Sequence, residues 1–253
     1  MNYINEDDFI KSYAEEEILV IKFKERVFEL IESFHETNFL MKILEHVKYD
    51  ELIKFVVFTS EPHALGSTNY DEFIHEIIRE DTSQKDPDFP VFNNKNARYR
   101  EITLVDTLIQ FIVDYNKLSV ACFEGDIATP FFGFFLANDI RYASPSTSFS
   151  LLHNRYGLHP SGALPFFLVQ EIGYSKSVEL LLSETLSVYD AEKLGLVDRI
   201  IPSVNFLDRC ISQIHKYSYI HYSTILNTKR LSSFTRNSLH DYIQYESSLL
   251  NLS

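Results

Sequence analysis

Apolar positions along this chain follow two rhythms. Residues 18–23 (ILVIKF), 55–59 (FVVFT) and 119–123 (SVACF) are short apolar runs rich in β-branched residues, and each predicts a buried strand. Between the first two, Phe28, Ile31, Phe39, Leu40, Ile43, Leu44 and Val47 recur at helical spacing and predict a helix over 27–49. Residues 102–115 (ITLVDTLIQFIVDY) repeat that spacing just ahead of the third strand. Such alternation predicts an α/β fold with a parallel sheet and right-handed crossovers.

The intervening segments are polar. Residues 61–69 (EPHALGSTN) are turn formers and read as a binding loop, whereas 79–98, with two prolines and no apolar period, reads as a lid or a disordered insertion. After Glu124-Gly125-Asp126 the pattern predicts a helix over 130–137 and short strands at 140–143 and 148–151. Helices are expected over 174–182, 189–195 and 206–219, with 197–201 extended between the last two. From 222 onward the chain reads as helical, with a polar break near 232–237.

Composition narrows the function. At 253 residues and 45% hydrophobic, the chain can build one substantial core. A net charge of −13 repels an extended polyanion, which argues against nucleic-acid binding. Cys122 and Cys210 show no ligand spacing, so no metal site is expected, and a reducing, cytoplasmic setting fits. The acidic N-terminus has no signal-peptide order, and no apolar run reaches the roughly eighteen residues of a membrane span. Glycine occurs only 7 times, few for a protein whose backbone must approach a ligand closely.

Three segments carry a more specific signal: FEGDIATPFFGFFLANDIRYAS, SFSLLHNRYGLHPSGALPFFL and YDAEKLGLVDRIIP. Read in order over 119–202, they resemble the central signature of the crotonase (enoyl-CoA hydratase/isomerase) superfamily. That signature comprises a strand, a glycine-rich turn, a helix ending in Cys-Asp-Ile/Leu-Arg and a later Ala-x-x-x-Gly-Leu-Val. The resemblance implies a crotonase (ClpP/crotonase) fold of repeated ββα units over 1–202. It also implies a C-terminal helical region over 203–253 that serves oligomerisation, and a homotrimer or hexamer. It implies an acyl-CoA or acyl-carrier-protein substrate, coenzyme A entering only as part of that substrate, and no separate cofactor.

Family chemistry passes through a thioester enolate, which needs two backbone N–H groups aimed at the developing oxyanion and a carboxylate beside the acyl chain. The first donor maps onto Ser67, after Gly66, and reads as available. The second maps onto Pro130, which has no N–H. Either the turn shifts to present the N–H of Phe131, or half the oxyanion hole is lost. The two hydratase glutamates map onto Gly133 and His153, and Ser161-Gly162 stand where some branches carry a catalytic Asp. His153 is the one candidate acid/base; the competing reading is a packed, hydrogen-bonded histidine. YGLHPSGA also resembles a segment of crotonase-fold decarboxylases, but their basic residues map onto Asn69 and Tyr245. Two functions remain open: an enzyme doing isomerase, decarboxylase or hydrolase chemistry on an acyl thioester, and a degenerate homologue acting as a binding or scaffold subunit. An open pocket beside Ser67 and His153 would favour the first, and filling by Phe131, Phe132 or Leu152 the second.

Overall fold

The computed structural model describes residues 3–31, 34–78, 92 and 95–249. It opens with an antiparallel meander that the apolar pattern does not announce: β1 (Asn5–Glu6), β2 (Ile10–Glu15) and β3 (Ile18–Phe23). β2 escapes notice because its inward position 12 is a serine. Ser12 is fully buried, and its hydroxyl donates to the Tyr3 carbonyl at 2.9 Å. β3 then pairs in parallel with β4 (Phe55–Ser60), and β4 with β5 (Leu118–Phe123). Next come β6 (Asp126–Ala128), which leaves the main sheet, and β7 (Ile140–Ala143), which rejoins it beside β5. β8 (Ser148–Ser150) and β9 (Thr185–Ser187) join β6 in a three-stranded sheet, while β10 (Arg199–Ile200) adds to β7. Among the described residues the main sheet has the order β1-β2-β3-β4-β5-β7-β10.

Around the sheets lie α1 (Phe34–Lys48), α2 (Ser67–Ile77), α3 (Lys95–Val113), α4 (Phe131–Ala137) and α5 (Leu164–Ile172). They are followed by α6 (Tyr174–Leu181), α7 (Val188–Lys193), α8 (Phe206–Ile214), α9 (Tyr222–Ser232) and α10 (Leu239–Leu249). Strand periodicity decides what each covers. Leu19, Ile21 and Phe23 point into the larger core, which α1 to α5 complete, and Ile18, Val20, Phe55, Val57 and Cys122 point the other way. There they meet Phe206, Cys210, Ile211 and Ile214 of α8. Because both faces of β4 are covered, all six of its residues are buried and its sequence is a continuous apolar run.

Several expectations need correcting. α3 begins at Lys95, two turns before the apolar pattern does, because Arg98 and Glu101 on its inner face are buried as an ion pair. Of the segment read as a lid, 79–98, only Phe92 and 95–98 are described; Phe92 bridges to Ile78 and 95–98 are helix. The loop 61–69 ends in the first turn of α2, and α5 follows a turn that the pattern left unassigned.

The C-terminal helices fold back onto their own core. Lys229 of α9 donates to Asp139 at 2.7 Å and to the carbonyls of Ile112 and Lys117 at 2.9 and 3.0 Å, while Arg236 reaches the Ala137 carbonyl. No helix among the described residues is long and apolar enough to cross a membrane.

Candidate functional site

The residues singled out in the sequence converge on the turn between β6 and α4. The Ala128 N–H donates to the Leu65 carbonyl at 2.8 Å, which docks the 61–66 loop on β6. The two segments come close enough that a Cβ on Gly66 would lie 3.0 Å from the His63 carbonyl and 3.3 Å from that of Asp126. Ser67 opens α2, but its N–H is not free, contrary to the sequence expectation: it donates to Asp126 Oδ2 at 2.7 Å. The carboxylate is fixed on its other side by Ser148 and Ser150, whose hydroxyls donate to Oδ1 at 3.2 and 2.6 Å. An anion at a helix N-terminus is favoured both by the exposed N–H groups and by the helix dipole. A hydrogen bond to a charged group contributes about 1.5–3 kcal/mol.

Pro130 immediately precedes α4, so it contributes only a carbonyl, which accepts from Gly133 at 3.0 Å. The Phe131 ring is buried 5.3 Å from Phe28 and 6.2 Å from Phe23, centre to centre. Gly133 meets the Gly162 turn backbone to backbone. A Cβ on Gly133 would stand 1.8 Å from the Gly162 carbonyl oxygen, and one on Gly162 2.6 Å from the Pro130 oxygen. Gly162 also has φ +73°, a left-handed conformation that glycine adopts freely. Backbone packing therefore leaves no room for a side chain at 133, the position at which the sequence reading places the first family glutamate.

His153 lies in a short 3₁₀ turn, Leu152–Asn154, and is 4% exposed. Its Nε2 is 2.9 Å from the Leu181 carbonyl, which assigns the proton to that nitrogen, and Nδ1 lies 3.4 Å from the Thr129 hydroxyl. Burial holds its pKa below the usual imidazole value. The Thr129 hydroxyl also donates to the Ser150 carbonyl at 3.2 Å, so its one proton is shared between the two and the ring is held chiefly through Nε2. Ser161 is buried in the turn before Gly162.

Sequence reading missed a second polar centre, under α3. Arg98 Nη1 donates to the Tyr70 hydroxyl at 3.0 Å and pairs with Glu101. Asp106, on the same helix, is pushed up to about 8 by burial and by the neighbouring carboxyl groups of Glu246 and Glu101. Glu246 of α10 accepts the Ala163 N–H at 3.5 Å, at the start of α5, and is pushed up to about 7, mainly by burial. His159, on the loop before α5, is held down to about 4 by burial and then by the Arg98 charge. One signal was present: Asp106 interrupts the apolar run ITLVDTLIQFIV, and Glu246 sits at the helical spacing of Leu239 and Ile243.

Outside Phe28, a cavity of about 460 Å³ opens between α2 and the 25–29 segment, with Glu25, Glu29, Glu72 and Glu76 against the single cation Arg26.

Comparison with known proteins places these features in a family. A probable enoyl-CoA hydratase of Mycobacterium tuberculosis is 27% identical over 173 residues, 68% of this chain. The bacillaene synthase dehydratase of Bacillus subtilis is 28% identical over 116 residues, 44% of each chain. The match spans only 58% of the mycobacterial protein. The crystal structure of an enoyl-CoA hydratase from Bacillus halodurans superposes with a TM-score of 0.72 at 20% identity, covering 96% of this chain and 93% of that one. That of an enoyl-CoA hydratase/isomerase from Cupriavidus metallidurans gives 0.72 at 19%, covering 98% and 89%. Both share the fold, and with residues 14–251 matching the enoyl-CoA hydratase/isomerase profile, the chain belongs to that family, within the crotonase superfamily.

Proposed function

We propose that this chain is a crotonase-fold subunit that has given up hydration of enoyl thioesters and works by binding or assembly instead of turnover. The observation that carries this reading is the 2.7 Å hydrogen bond from the Ser67 N–H to Asp126. An oxyanion hole works by offering its donors to charge that develops during reaction. Here a fixed negative charge already holds the donor, and it would repel an enolate. The partner position is Pro130, and backbone contact at Gly133 leaves no room for an acid/base side chain.

Two further observations support it. The rings around Phe131 fill the space at the start of α4, and His153, the one candidate base for the isomerase, decarboxylase or hydrolase alternative, is buried and held through Nε2 on the Leu181 carbonyl. The glutamates around the 460 Å³ cavity would repel the phosphates of coenzyme A. A role in assembly, through the C-terminal helical region and a homo-oligomer, is part of the same proposal.

The test is hydration of crotonyl-CoA, followed by loss of the enoyl absorbance. Wild-type protein should show no rate above background, and Asp126→Ala should tighten binding of crotonyl-CoA in calorimetry. Enzyme-like turnover by the wild type would sink the proposal.

A further inference from the structure

A recess of about 400 Å³ opens between α1 and the residues that lead into β1. One wall is a single face of α1: Phe39, Lys42, Ile43 and His46 follow the i, i+3, i+4, i+7 spacing that puts side chains on one side of a helix. The other wall includes Tyr3 and Ile4. It is fixed in place, because the Tyr3 hydroxyl donates to Asp50 at 2.6 Å and the Tyr3 carbonyl accepts from Ser12 at 2.9 Å. Ile43 is buried and Ile4 is 68% exposed, so the apolar lining runs from the core outward to solvent. None of these residues belongs to the turn where Ser67, Pro130 and Gly133 meet.

The ionisable groups on these walls favour one sign of ligand charge. Lys42 and His46 line the recess and no acidic side chain does, although acids outnumber lysine and arginine by 36 to 23 along the chain. Neither basic side chain has a hydrogen-bond or ion-pair partner among the described residues. His46 stands in the last turn of α1, where the helix dipole favours a base in any case; Lys42 stands more than a turn further in and has no such reason. Apolar walls with a few convergent polar groups, around a volume of this size, are the usual form of a small-molecule site. The lining sets what fits: a hydrocarbon tail against Tyr3, Ile4, Phe39 and Ile43, and an anionic head on the Lys42 ammonium with the His46 ring as a second donor. A cationic or apolar head leaves Lys42 unserved. A bilayer of anionic lipids is disfavoured, because it meets the net charge of −13 over a wide face, whereas a single-tailed anion meets only the recess. We propose that this recess binds a free fatty carboxylate of medium length, its head on Lys42 and its tail between α1 and the approach to β1. The inference goes beyond the proposed loss of hydration and does not depend on it.

Calorimetric titration of the whole protein would use sodium hexanoate, octanoate and decanoate below micelle formation, with decyltrimethylammonium as the same tail under the opposite charge. Decanoate should bind one to one, and affinity should rise about two- to fourfold for each methylene added along the series, as burial of the tail in a half-open recess requires. Lys42→Glu should weaken decanoate about tenfold or more, which is the loss of one charge-assisted hydrogen bond, and Ile4→Asp should do the same by placing a charge beside the tail. Both positions are exposed, so both variants should melt as wild type does. The protein should stay in the supernatant when phosphatidylglycerol vesicles are sedimented. The proposal is overturned if decanoate does not bind, if decyltrimethylammonium binds as tightly, or if the protein sediments with the vesicles. It is equally overturned if either variant binds decanoate as wild type does, because the ligand then sits elsewhere.

Discussion

Raising the pH through neutrality should destabilise this protein, and the acids under α3 set the size of the effect. Asp106 moves from 3.8 to about 8 in the folded state and Glu246 from 4.5 to about 7. Each group keeps its proton in the folded chain after losing it in the unfolded one, so the folded state binds more protons. Stability is then fully present below the unfolded pKa and falls as pH rises through the folded one, by about 1.4 kcal/mol per unit for each proton. His159, held down to about 4, and His153, also lowered, have the opposite sign. Unfolding lets these histidines take up protons, which offsets the acids below about pH 6.5, the unfolded histidine value. Above that value the unfolded histidines are still partly protonated, and up to pH 8 the two together return a little under about 1 kcal/mol. From about pH 6.5 to 8, Asp106 removes roughly 2 kcal/mol and Glu246 somewhat under 1, a net fall of about 2 kcal/mol once the histidines are counted.

Urea unfolding followed by far-UV circular dichroism, with tyrosine fluorescence as a second probe in this tryptophan-free chain, measures that fall as a shift in midpoint at constant slope. Asp106→Asn, which cannot ionise, should lose most of the fall, because the Glu246 share and the histidines nearly cancel. A wild-type midpoint that stays level or rises over this interval would refute the reasoning, as would an equal fall in Asp106→Asn.

Two substitutions test the packing that frames the site. Gly133→Ala forces a Cβ to within 1.8 Å of the Gly162 oxygen, and overpacking of this kind should lower stability by about 3 kcal/mol or more in the same urea assay. Lys229→Met leaves Asp139 and two main-chain carbonyls without their shared donor, and should remove about 3–5 kcal/mol and expose α9 to proteolysis; Lys229→Arg should restore part of it.

The sequence made the fold legible wherever apolar letters mark the buried face, as in β3, β4 and β5. It hid elements whose inward positions are polar, namely β2 with Ser12 and the first two turns of α3 with Arg98 and Glu101. At the site, the absence of a carboxylate at 133 and 153 and of an N–H at Pro130 could be read residue by residue. The engagement of Ser67 could not, because Asp126 lies 59 residues away and reaches it only when β6 docks against the 61–66 loop. The same holds for Glu246, which meets Asp106 across 140 residues when α10 folds back on α3.

On the proposed reading these features depend on one another, so no single substitution should confer hydratase chemistry. Pro130→Gly would supply one N–H, but Asp126 would still hold the other donor and still oppose an enolate. Asp126→Ala would free Ser67, yet it would leave the Ser148 and Ser150 hydroxyls without their acceptor in β8 and remove an anion from the start of α2. Neither change makes room for a carboxylate at 133, because the obstacle there is the Gly162 carbonyl, which the turn into α5 fixes in place. That turn is itself held by Glu246 through the Ala163 N–H. The backbone contact at position 133 and the buried acids therefore share one turn. Movement of α10 would therefore act on the Gly162 turn as well.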